Sequence, residues 1–100
     1  MGRYIVKIKD MYLEWSSIVD APVTYGMTLE VFNAYYLEEY GRRDFETELP
    51  ERLERVERTG CSARDGHTVD SFVSYNRAGP NETCLTLDEI YQRFCVDRDG

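Results

Sequence analysis

Two short runs near the start of the chain alternate in polarity. In RYIVKIK (residues 3–9) Tyr4, Val6 and Ile8 fall on one side, with Arg3, Lys7 and Lys9 opposite. That period of two marks a strand with one solvated face. Ile5 interrupts the polar side, so the second face is expected to be partly covered. YLEWSSIV (12–19) places Leu13, Trp15 and Val19 on one face and Tyr12, Glu14, Ser16 and Ile18 on the other. With Asp10-Met11 between them, the two runs predict an antiparallel hairpin. DAPVTYG (20–26) then ends the regularity, because Pro22 removes a donor and pushes Ala21 towards extended geometry.

The period changes after Thr28, a suitable N-cap. Leu29, Phe32, Tyr36 and Tyr40 recur at helical spacing and form one stripe, and Gly41 follows where a helix over 29–40 should stop. LPERLERVERTG (49–60) reads as a second helix with Pro50 in its first turn and Gly60 past its end. TVDSFVSY (68–75) reads as a third strand, and Thr86 with Glu89 forms a capping box for a last helix that turns Leu87, Ile90, Tyr91 and Phe94 inward. The expected fold is a single α+β domain over residues 1–100 in the order ββααβα. It has about three antiparallel strands with three helices packed mainly on one face. Trp15, Phe32, Tyr36 and Phe94 are the expected core.

Composition narrows the use of such a domain. One hundred residues with 42 % apolar content suffice for a core without staples. A net charge of −7 argues against direct binding of nucleic acid and against an anionic membrane surface. MGRYIVKIKD has no apolar h-region, and Val6 stands where a myristoylation motif needs Ser or Thr, so a cytoplasmic protein is expected. Three cysteines without close pairing do not form a disulfide framework.

Candidate chemistry is sparse. Cys61, His67, Cys84 and Cys95 supply the donor types of a tetrahedral zinc site. Their intervals of five, sixteen and ten residues lack the tight knuckle that such sites use. We therefore expect no metal and no cofactor, with a small metal- or ligand-binding domain on these four residues as the alternative reading. Asp65 beside His67 could orient an imidazole for a cysteine nucleophile, but ARDGH is equally a polar turn. There is no phosphate-binding glycine loop, paired-histidine metal helix or serine elbow, so no enzymatic activity is expected.

The charge map is more informative. From Asp10 to Gly41 the chain has six carboxylates and no Lys or Arg, so this stretch holds −6 of the net −7. It also holds Trp15 and five of the tyrosines. An acidic surface edged with tyrosine suits a basic partner, and Asp20, Tyr25, Glu30, Tyr35, Glu38 and Glu39 are the candidate partner-binding residues. Self-association through sheet edges or the tyrosine face is a further reading. The runs YLEWSSIVDAPVTYGMTLEVFNAYYLEEYG, LPERLERVERTG and NRAGPNETCLTLDEI together resemble small acidic accessory proteins of bacteriophages, especially those of actinobacteria. The resemblance implies no catalytic residues. It implies a compact inhibitor or modulator of a host protein in the host cytoplasm, including a nucleic-acid-binding defence effector.

Overall fold

The computed structural model describes residues 3–63 and 68–96. β1 (Arg3–Ile8) and β2 (Met11–Ser16) pair antiparallel, with Tyr4 opposite Trp15, Val6 opposite Leu13 and Ile8 opposite Met11. The turn is therefore Lys9-Asp10, one residue earlier than the pattern suggests, and Lys9 takes a positive φ of 56° to make it. The third strand is β3 (Ala21–Pro22), two residues on the far side of β2. Pro22 sits at an edge, where its missing N–H costs nothing. The chain then stays beside β2: Val23 N donates to Glu14 O, and Tyr12 and Met27 exchange both backbone bonds.

The other edge is also covered. Lys7 N donates to the Gly60 carbonyl, Ser62 N donates to the Ile5 carbonyl, and Ser62 Oγ accepts from Ile5 N. Where an edge is paired in this way it offers no template for another chain.

Four helices accompany the sheet among the described residues: α1 (Leu29–Thr47), α2 (Leu49–Thr59), α3 (Val69–Ser74) and α4 (Leu87–Tyr91). The last runs into a wider π-type turn over Gln92–Val96. The class is α+β as expected, but two details differ. TVDSFVSY is a helix, not a strand. Val69, Phe72 and Val73 fall at i, i+3 and i+4, pack on the core, and follow a capping box of Thr68 and Ser71. The helices also cover both sheet faces rather than mainly one. Ile5 and Tyr12 join Phe32 and Tyr36 of α1 with Leu49 and Val56 of α2. Val6, Ile8, Leu13 and Trp15 face the opposite way, towards Ile90 and Cys95, with Phe72, Val73 and Phe94 packed alongside. Alternation along the two strands feeds two separate cores.

Trp15, Phe32 and Tyr36 are buried and Phe94 is partly so, but Leu29 is 41 % exposed and does not belong to the core. Gly41 interrupts α1 at φ 89°, ψ 166°, a conformation open in practice only to glycine. Helical geometry resumes beyond it. Gly60 closes α2 in the left-handed region, with its N–H on the Val56 carbonyl. No helix among the described residues is long and apolar enough to cross a membrane.

Candidate protein-binding face

The inner side of α1 is a row of rings. Thr28 caps the helix through Val31 N, and 3.6 residues per turn then stack Phe32, Tyr36 and Tyr40 over β2. Ring centroids are 6.1 Å apart for Tyr12 and Phe32, 6.2 Å for Phe32 and Tyr36, and 4.6 Å for Tyr36 and Tyr40.

What fixes the helix about its own axis is polar. Glu14 of β2 is fully buried and points at α1. Tyr35 Oη donates to its Oε1 at 2.6 Å, Tyr40 Oη donates to its Oε2, and Arg3 Nη1 donates to Oε1 at 3.1 Å. A buried carboxylate is tolerable only with such donors. Burial, and then the bond to Glu14, pushes the Tyr40 phenol up to about 12; the same causes raise Tyr35. α2 has a similar tether. Tyr12 Oη donates to Glu57 Oε2 at 2.7 Å and Lys7 Nζ lies 3.3 Å from Oε1, and these bonds hold the Glu57 carboxyl below its usual range. Arg52 adds a bridge, donating to Tyr36 Oη at 3.2 Å and to the Arg3 carbonyl at 2.9 Å.

With the rings turned in, the opposite side of α1 is left to solvent. Glu30, Val31, Ala34, Leu37 and Glu38 share that side and are all exposed, Val31 at 53 % and Leu37 at 39 %. A solvated helix face is ordinarily polar. This one has an aliphatic crest between two carboxylates.

The structure distributes the candidate binding residues unevenly. Glu30 and Glu38 belong to the crest, whereas Glu39, also exposed, lies one turn beyond Tyr35 on the other side of the helix. Tyr35 is half-buried and spends its hydroxyl on Glu14, so its role is anchoring the helix rather than edging a surface. Tyr25 is 54 % exposed with its ring 6.4 Å from Phe94, away from this row. Asp20 occupies the turn between β2 and β3 and pairs with Arg77, Oδ2 to Nε at 3.4 Å. Two of the six carboxylates are therefore paired with arginine, and the outer field comes mainly from Asp10, Glu30, Glu38 and Glu39.

Sequence reasoning counted Glu14 with the acidic surface. The available signal was its place between Tyr12 and Ser16, on the strand face that Ile5 already marked as covered. The thiols lie in different surroundings: Cys61 is buried against Val6, Cys95 is buried under Gly26, and Cys84 is exposed near Asn76. Among the described residues no three His, Cys, Asp or Glu side chains gather as metal ligands. His67 and Asp65 lie outside them. No family model, curated protein or solved structure matches the chain.

Proposed function

We propose that this chain is a non-catalytic protein-binding module, a phage-encoded modulator that docks on a basic surface of a host protein in the host cytoplasm. The observation that carries the reading is the outer face of α1, with Val31, Ala34 and Leu37 exposed between Glu30 and Glu38. The apolar crest offers area to bury and the carboxylates select the sign of the partner. The Glu14 anchor adds support, because a face fixed beforehand loses little freedom on docking. On a nucleic-acid-binding target, Glu30 and Glu38, about 12 Å apart along the helix axis, would stand where phosphates otherwise stand.

The test uses three immobilised proteins and host extract: the parent, Glu30→Lys/Glu38→Lys, and Val31→Ser/Leu37→Ser. A partner held by the parent should associate more slowly with the charge-reversed protein and leave the serine variant faster. The charge effect should fade as salt shortens the electrostatic reach to ~8 Å at physiological ionic strength. A partner retained equally by all three removes this face as the binding surface.

A further inference from the structure

A concave feature lies on the other face of the sheet, apart from α1. It is a cleft of about 230 Å³, and among the described residues Tyr4, Trp15, Phe72, Tyr75 and Asp20 contribute to its walls. Drug-sized ligands occupy roughly 300–1,000 Å³, so this cleft suits a side chain or a head group rather than a whole cofactor.

We propose that the cleft binds an alkylated ammonium group. Aromatic rings present negative faces to a cation, and four of the seven described lining groups are aromatic, the others being Ser17, Ser71 and Asp20. Tyr4 and Phe72 meet at 56° and form a corner, backed by the buried indole of Trp15, which stands at 69° to Phe72. A corner encloses a rounded ammonium, whereas a flat guanidinium prefers one parallel stack. Asp20, the one carboxylate among the described lining residues, supplies the complementary charge. Asp20 is partly committed to Arg77, whose backbone N–H also holds the Asp20 carbonyl at 2.7 Å. Arg77 therefore competes with the ligand for Asp20. The inference is independent of the α1 reading, because a different sheet face and different residues carry it.

Trp15 is the chain's one tryptophan and packs edge-on against Phe72 behind the cleft, so intrinsic fluorescence reports on changes in that wall. The full-length protein is titrated with choline, with a peptide carrying trimethyl-lysine, and with the neutral tert-butyl isostere of each. Saturable binding of a cation and not of its isostere is the expected result. Tighter binding of the peptide identifies a protein side chain as the source, and tighter binding of choline a small molecule. Asp20→Asn and Tyr75→Ala should each weaken binding roughly three- to tenfold, the range of one cation contact. Asparagine tolerates the positive φ of 56° at position 20, and Tyr75 is 75 % exposed, so both variants should keep the parent's circular dichroism. Arg77→Gln should tighten binding by releasing Asp20. Absence of saturation with either cation, equal response to the isosteres, or unchanged affinity in folded Asp20→Asn overturns the proposal. So does weaker binding by Arg77→Gln.

Discussion

Glu14→Gln should loosen α1 while keeping the shape of the side chain. The carboxylate accepts from Tyr35, Tyr40 and Arg3, and an amide puts N–H groups where one of those donors points. Hydrogen bonds to a charged group contribute about 1.5–3 kcal/mol and neutral ones about 0.5–1.5, so each phenol bond weakens by about 1 kcal/mol. The Arg3 side chain is half exposed and regains water, so its lost pairing adds little. An amide is easier to bury than a carboxylate, which offsets part of the loss. The expected cost is about 1–2 kcal/mol, a sizeable share of the ~5–15 kcal/mol that holds a domain folded. Urea unfolding followed by Trp15 fluorescence and by circular dichroism measures it. Tyr35→Phe should cost about 1–3 kcal/mol alone and far less in the Glu14→Gln background, a coupling of at least about 1 kcal/mol. Unchanged stability of Glu14→Gln, or additive losses in the double variant, would refute the idea that this carboxylate holds the helix.

Tyr12, Tyr35 and Tyr40 are all raised by burial and a carboxylate partner, and they also predict a response to alkali. A group whose folded pKa is raised contributes stability below its unfolded value of about 10 and loses it as pH climbs through the folded value, which is about 12 for Tyr40. Tyrosinate absorbance should therefore show these three of the eight tyrosines lagging, and denaturant midpoints should fall from about pH 10 upward; eight uniform titrations would contradict this. Asn33 Oδ1 is buried on α1 without a donor, so Asn33→Ala should be neutral or stabilising by thermal melting, and a loss above about 1 kcal/mol would mean the oxygen has a partner in solution. Gly41→Ala should cost about 1–3 kcal/mol in chemical denaturation through backbone strain alone, since a Cβ there meets nothing within 4 Å. A synthetic chain with D-alanine at that position should recover the loss, and failure to recover would point to a side-chain clash instead.

The hairpin, the starts of α1 and α4 and the whole of α2 were legible because each rests on a local signal: alternation, a capping threonine, Pro50 or Gly60. The third strand was not. Val69, Phe72 and Val73 are strand-favouring residues at helical spacing, and packing on Trp15 decided for spacing over propensity. Ala21–Pro22 is too short to show a period at all. The binding face was half legible. A charge count treats every carboxylate alike, so Glu14 and Asp20 stood in the acidic surface until their arginine partners, Arg3 and Arg77, were placed in space. Tyr35 misled for a related reason. Its Cα lies on the flank of the helix, but a phenol is long enough to bring its oxygen round to the sheet.

The division of the apolar interior by the hairpin sets where this chain can change length. Each step along β1 or β2 moves a side chain from one core to the other, so one inserted residue exchanges their contents. Glu14 would then be driven in among the neighbours of Trp15, and the indole would displace the carboxylate under α1. The Pro80–Glu82 turn is exposed, and the backbone bonds that close it, from Gly79 N to the Thr83 carbonyl, Glu82 N to the Gly79 carbonyl and Thr83 N to the Pro80 carbonyl, all stay within residues 79–83, so it carries no such count. Among descendants of this sequence, gained and lost residues should collect at that turn, while the hairpin holds its length and the crest of α1 is free to vary in chemistry alone.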